Sequence, residues 1–328
     1  MISMQYLVLI LILSIVCLGH CSGSNTENRC VPERDGIPTI KGPRVAIGFY
    51  GLSRSMEVTL PSIEKHVFNV LDRQHIAYDV FSHTLSTNTI DNQRSQEHGG
   101  LDKFDVRHLR PCYAAIEYQE DIREREFASY LRFRNLTNQD LERSKATGIL
   151  LRDDYWEDHF ASVKNVLCAY HSVRGLYKLI VAVSKHINIK YDAIMVLRPD
   201  TAQLIDTDIF HNLQEIMSSR SILFTPSFQL WRGYNDRMAY GSADAMSVYM
   251  NRGKEFVHFT KNVNGEEFLM DTLNKYNITV KFTNMRCVRV RIDGEVRGKD
   301  SERQYMNISR SYPLTKCTKS LKNLPTEC

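Results

Sequence analysis

Apolar residues occur along this chain in two arrangements, short unbroken runs and runs spaced three or four apart, and their order predicts an α/β fold. Val45-Ala46-Ile47-Gly48-Phe49-Tyr50 is an unbroken run of strand length. Leu60, Ile63, Val67 and Leu71 then follow at helical spacing, with Pro61 suited to a first helical turn. Tyr78-Asp79-Val80-Phe81-Ser82 reads as a second strand, so the chain opens strand, helix, strand, which implies a parallel pair joined by a right-handed crossover. Further on, Phe160, Val163, Leu167, Tyr170, Val173, Tyr177 and Val181 fall on one face of a long helix. That helix leads into an apolar run from residue 191 that stops abruptly on Arg198, Pro199 and Asp200. Consecutive apolar positions suit a strand buried on both faces, and a closing proline puts Asp200 at the rim of a sheet, where α/β proteins bind ligands.

The pattern continues with strands at residues 222–225 and 278–282 and helices at 243–252 and 266–276. Residues 287–292 alternate, placing Val288, Val290 and Ile292 on one face and Arg289 and Arg291 on the other, with at least one of the arginines expected in solvent. Between about residues 86 and 157 the periodicity dissolves into charged and polar positions, which read as an insertion carrying one or two surface helices. The expected organisation is a leader at 1–23, a stem or linker at 24–43, one α/β domain at 44–294, and an irregular tail at 295–328.

Composition narrows the class. With 328 residues, 43% of them hydrophobic, the chain can bury a sizeable core and fits no disordered or fibrous class. Its net charge of +4 comes from interspersed basic and acidic residues, which gives nucleic-acid binding no support. Residues 6–19 form an uncharged apolar block, short for a membrane span and of the length of a signal-peptide core. Small residues precede cuts after Cys21 or Gly23; the competing reading is a short signal anchor lengthened by Ile2 and Met4, which would be the chain's one membrane contact. Either way the chain is expected to enter the secretory route, in the ER or Golgi lumen or beyond the cell. Asn135, Asn277 and Asn307 begin three N-glycosylation tripeptides. Loss of the leader leaves Cys30, Cys112, Cys168, Cys287, Cys317 and Cys328, enough for up to three disulfides of open connectivity. No CxxC or HExxH spacing points to zinc.

Several pieces taken in order resemble the GT-A-type glycosyltransferases, a family that includes poorly characterised members. They are residues 44–55, Tyr78-Asp79-Val80-Phe81-Ser82-His83, residues 191–200, residues 233–241, Glu266-Glu267-Phe268-Leu269 and residues 289–294, with the insertion unmatched. The resemblance implies a Rossmann-like, mostly parallel twisted sheet flanked by helices, in one catalytic domain. It also implies a nucleoside diphosphate sugar as donor, a glycan or glycoprotein hydroxyl as acceptor, and Mn2+ or Mg2+ on the donor diphosphate. Members usually hold that metal with Asp-x-Asp, and here Arg198-Pro199-Asp200 departs from the pattern. Asp200 then either ligates the metal alone, or Arg198 neutralises the diphosphate directly, as a bidentate guanidinium can. The plainer reading is that Arg198 and Asp200 pair with nearby groups at a strand end.

The remaining candidates follow the same logic. Gly48, Gly51 and Arg54 sit at the rim of the first strand, where small residues let a nucleotide approach and a cation can meet phosphate, although two glycines after a strand also make an ordinary tight turn. Asp79 and His83 are weaker candidates for nucleoside contact. Asn235 and Asp236, in a loop with Trp231 and Tyr234, are candidates for sugar contact, set against an ordered loop in which Asp236 pairs with Arg237. Glu266 or Glu267 is the candidate base for the acceptor hydroxyl, set against carboxylates placed at a helix start by its dipole. Two rival functions compete. One is a secreted, non-catalytic carbohydrate-binding or interaction protein on the same fold, suggested by the arginine at position 198. The other is a sulfotransferase-like enzyme, disfavoured because no phosphate-cradling loop with a lysine follows the first strand.

Overall fold

The structure is a computed structural model that describes residues 29–30, 42–92, 95–102, 105–149, 151, 154, 156–256, 258 and 264–296. The expected leader, most of the stem, nearly all of the tail, Asn307, Cys317 and Cys328 lie outside the described residues.

In chain order the elements are β1 (Arg44–Leu52), α1 (Met56–Ile63, continued through a π turn at Glu64–Phe68 to Asn69–Arg73), β2 (Ala77–Ser86), β3 (Thr89–Asn92), β4 (Glu97–Gly100), β5 (Tyr113–Tyr118), α2 (Gln119–Phe133), α3 (Asn138–Thr147) and α4 (Ala161–His186). They continue with β6 (Ala193–Leu197), β7 (Thr201–Gln203), α5 (Ile209–Ser218), β8 (Ile222–Pro226), β9 (Met238–Gly241), α6 (Ala243–Asn251), α7 (Gly253–Phe256), α8 (Gly265–Lys275), β10 (Thr279–Thr283) and β11 (Cys287–Arg289). Seven strands form the central sheet in the order β10-β8-β9-β6-β1-β2-β5. Every pairing is parallel except those of β9, which runs against β6 and β8. The fold is therefore mixed α/β, with a mostly parallel sheet flanked by helices.

Strand β1 is buried on both faces and so shows no alternation of polar and apolar positions. Val45, Ile47 and Phe49 pack with Met56, Ile63 and Val67 of α1 and with Leu213 and Ile216 of α5. Ala46 and Tyr50 face the other way, among Val173, Leu176 and Ile180 of α4, Met246 of α6 and Leu269 of α8. Helix α4 has the length and apolarity of a membrane span but lies along this face with half of that stretch buried, as the core helix of an α/β layer does. Gly48 is explained here. A Cβ on it would lie 2.5 Å from Leu176 Cδ2, so the residue lets α4 close onto the sheet in mid-strand and does not line a ligand site. An added methyl there costs about 1–3 kcal/mol of overpacking.

The segment read as an insertion contributes more than surface helices. Its β5 extends the central sheet beside β2, with Ala115 opposite His83 and Glu117 opposite Leu85. Its β3–β4 hairpin carries Glu97, which is buried. Cys30 and Cys112 form a disulfide that ties the chain ahead of β1 to the loop before β5. Closing a loop of that length restricts the unfolded chain by roughly 4 kcal/mol. Cys168 and Cys287 are buried free thiols, so these two do not contribute to the three bridges the cysteine count allows.

Candidate functional site

The site is built where β1, β6 and β11 end. The turn after β6 is held by Thr59 Oγ1, which donates to the Pro199 carbonyl (2.8 Å), by Thr201 Oγ1, which donates to the Arg198 carbonyl (2.8 Å), and by Val290 N, which donates to the Asp200 carbonyl (2.9 Å). This fixes Asp200 with no solvent exposure. Arg198 grips it in a fork, Nε to Oδ1 at 2.8 Å and Nη2 to Oδ2 at 2.7 Å. Arg54 Nη2 meets the same Oδ2, and Arg289 Nε stands 4.0 Å from it. Burial alone would raise the Asp200 carboxyl, but Arg198 and Arg54 hold it well below the usual carboxylate range. Arg54 also reaches Glu97 (3.1 Å), and Arg291 Nη1 reaches Glu97 Oε2 (2.7 Å).

These contacts bear on several sequence expectations. Both oxygens of Asp200 are taken by guanidinium groups and the surrounding charge is positive, a donor set that does not fit Mn2+ or Mg2+. Arg54 and Arg198 do come together at one strand edge, held through Asp200. Neither Arg289 nor Arg291 points freely to solvent: Arg291 is almost wholly enclosed, and Arg289 is half-buried. Asp79 lies near the start of β2, at the opposite end of the sheet, paired with Arg44 at 2.8 Å. His83 is buried beneath α4, in a separate cluster with Glu117 and His171. Gly51 adopts φ +102° at the end of β1, where it is buried and its N donates to Ser172 Oγ (2.8 Å), so its amide is not free for a nucleotide.

The loop after β8 supplies the second half of the site. Asn235 is fully buried, its amide nitrogen donating to the Phe228 carbonyl (2.9 Å) and its oxygen accepting from Arg237 N (2.9 Å). It pins the loop from within, with no surface exposed to a sugar. The Asp236 carbonyl accepts from Tyr50 Oη (2.6 Å) and Tyr249 Oη (2.9 Å), which leaves its carboxylate outside these bonds. Tyr234 N donates to the Glu266 carbonyl (3.1 Å), and a Cβ on Gly233 would collide with that same backbone. Glycine at 233 thus lets the loop lie against the start of α8, bringing Asp236 and Arg237 to Glu266.

Two groups here are strongly perturbed. Burial, reinforced by the Asp236 carboxylate, pushes the Glu266 carboxyl up to about 8. Burial and then the neighbouring Arg198 and Arg237 push the Arg289 guanidinium down to about 9. Arg237 is buried, with Nε and Nη1 lacking any partner, and the enclosed Nε of Arg289 likewise makes no hydrogen bond. Asp236 and Arg237 form no ion pair with each other among the described contacts. Glu267 N donates to Asn264 Oδ1 (2.8 Å), which caps α8 and places Glu267 in its first turn. The sequence reading missed Glu97 and Arg237, because one lies in an aperiodic segment and the other beside a ready-made carboxylate partner.

Buried Gln229 and exposed Trp231 and Arg232 of this loop have left-handed backbone, at φ 50°, 39° and 76°. Trp231 projects its ring into solvent at 43% exposure. Strain concentrated in so few residues is the kind that binding loops retain.

No protein-family model matches the chain, and no curated protein matches it. Among solved structures, mouse xyloside xylosyltransferase 1 in its apo form aligns with 74% of this chain and 84% of its own, at 9% identity and a TM-score of 0.33. Galactosyltransferase LgtC, in complex with donor and acceptor sugar analogues, aligns with 73% of each chain, at 10% identity and a TM-score of 0.37. Similarity at this level transfers no residue role, and the functional reading stands on the side chains themselves.

Proposed function

We propose that this chain is a GT-A-type glycosyltransferase that moves a monosaccharide from a nucleoside diphosphate sugar to a hydroxyl of a glycan or glycoprotein. One observation carries the reading: buried guanidinium N–H groups of Arg237 and Arg289 without hydrogen-bond partners, close to a Glu266 carboxyl raised to about 8. Buried donors left unpaired are costly, and an anion with several oxygens would satisfy them. A diphosphate has that chemistry, and planar guanidinium forks suit it better than a point charge does.

In this reading Arg198, Arg237 and Arg289 hold the diphosphate, with Arg54 and Asp200 fixing their spacing. As the bond between the anomeric carbon and phosphate oxygen breaks, its electron pair stays on the diphosphate, where the arginines stabilise it. The acceptor oxygen bonds to the anomeric carbon and its proton passes to Glu266, whose raised basicity suits general-base work near neutral pH. Asp236 keeps Glu266 basic, and Trp231 offers a ring face to an acceptor sugar. The arginines replace the divalent ion, so no metal acts at Asp200. The apolar leader and the Cys30–Cys112 bridge support a place in the secretory pathway.

The test is nucleotide release from UDP- and GDP-sugars by the purified chain, with Mn2+, Mg2+ or EDTA. Turnover of one donor that persists in EDTA is expected. Donor binding without turnover would favour the non-catalytic carbohydrate-binding reading. Turnover abolished by EDTA and restored by Mn2+ would return a metal to Asp200.

A further inference from the structure

A second cluster of chemically capable side chains stands apart from the arginine site, between β2, β5 and α4. His83 Nε2 lies 3.2 Å from Glu117 Oε2, and His171 Nε2 lies 2.6 Å from that same oxygen. The three ligand atoms fall within 4.8 Å of one another. Tetrahedral coordination with bonds of about 2.0–2.1 Å sets its donor atoms roughly 3.3 Å apart, so these atoms need only small rotations to enclose an ion.

The far nitrogen of each ring is already held. Ser172 Oγ donates its proton to the His83 carbonyl (2.5 Å), so toward His83 Nδ1, at 3.3 Å, it can only accept. That places the hydrogen on Nδ1 and turns Nε2 toward Glu117. His171 Nδ1 lies 3.0 Å from Glu126 Oε1, the carboxylate–histidine arrangement that orients metal ligands. Gly175 completes the design, since a Cβ there would overlap the His83 ring. Two imidazole nitrogens meeting one carboxylate oxygen need a proton or a cation between them. Arg125, exposed and 3.4 Å from His171 Nδ1, stands on the outer side of the ring, away from the enclosed space.

We propose that His83 Nε2, His171 Nε2 and Glu117 bind a divalent transition-metal ion, zinc being the ion that suits this donor set, as a clamp fastening edge strand β5 to α4. A ligand set drawn from three separated elements explains why no zinc spacing is visible in the sequence. The ion replaces the protons now shared among the three groups and leaves the fourth position to water.

The experiment takes the full chain, stripped with chelator and dialysed, and titrates it with Zn2+ by calorimetry and with Co2+ by visible absorption. One ion per chain, a rise in Tm with Zn2+, and the intense visible bands of four-coordinate Co2+ are expected. Glu126→Gln, which alters only the orienting partner, should weaken Zn2+ binding about 10–100-fold, and Glu117→Gln should abolish it. Cys168→Ser should leave it unchanged. The Co2+ spectrum reads the unaltered protein, so the proposal does not depend on variants folding. Absence of stoichiometric binding, or binding undiminished in Glu117→Gln with His171→Gln, would overturn it.

Discussion

The two ends of the central sheet treat buried charge in opposite ways. At the strand N-termini Arg44 forks onto both oxygens of Asp79 (2.9 Å each), Tyr191 Oη donates to Asp79 (2.7 Å), and Arg44 N donates to Asp192 (2.9 Å). There, one buried carboxylate meets one guanidinium, and the pair closes on itself. At the C-terminal ends Arg54, Arg198, Arg289 and Arg291 surround Asp200 and Glu97, with Arg237 close to Arg289, and nitrogens of Arg237 and Arg289 make no hydrogen bond. A structural ion pair is matched internally because an unmatched buried charge destabilises the fold. The positive charge gathered at the edge where parallel sheets bind ligands is what the proposed diphosphate site rests on.

Four substitutions would break or sharpen this contrast. The largest effect is expected at Glu266→Gln, which should lower kcat about 10²–10⁴-fold while donor affinity holds. In the unaltered enzyme, kcat/KM should rise with pH around a midpoint near 8, since the ionised carboxylate is the active form. Stability changes in the opposite sense. The folded carboxyl titrates near 8, above its ordinary 4.5, so the native state loses stability as pH rises through that interval. Glu266→Gln should therefore melt no lower than the unaltered chain at pH 8, and a large drop in Tm would assign Glu266 a structural role.

At the other end of the sheet, Asp79→Asn should cost about 3–5 kcal/mol in denaturant unfolding, because it strands Arg44, with donor affinity unchanged. A loss of donor affinity there would erase the distinction between the two ends. Arg237→Gln should reverse that outcome, weakening donor binding roughly 10–100-fold by calorimetry with no loss of Tm, since it removes an unpaired buried charge. Trp231→Ala is the mildest: about 0.5–1.5 kcal/mol of acceptor affinity, seen in the acceptor KM, with donor binding intact.

Most of the sheet was legible in the chain because the burial that makes β1, β2 and β6 strands also makes their sequences apolar, and α4 and α8 announce themselves by periodicity. Strand β5 was not, because Tyr113–Tyr118 is a half-exposed edge with no clean alternation. Of the site, Arg198, Asp200, Asp236 and Glu266 were recognisable as punctuation after apolar runs. Arg54 was also singled out, but Glu97 and the partnerships were not: Arg54 and Glu97 meet across 43 positions, and Arg291 reaches Glu97 across 194. Asn235 and Gly48 looked chemical for local reasons and are structural for tertiary ones, an amide used up within its loop and a missing Cβ beneath Leu176.

The sequence by itself determined the α/β class, strands β1, β2, β6, β8 and β10, and the rim position of Arg198 and Asp200, because each is written in the pattern of neighbouring residues; α5, β5 and β9 were not read from it. Only the tertiary structure decided that Asp200 is an arginine anchor, that Glu266 is raised by burial and then by Asp236, and that His83, Glu117 and His171 converge. Electrostatic coupling depends on distance through space and on burial, and neither quantity is encoded in spacing along the chain.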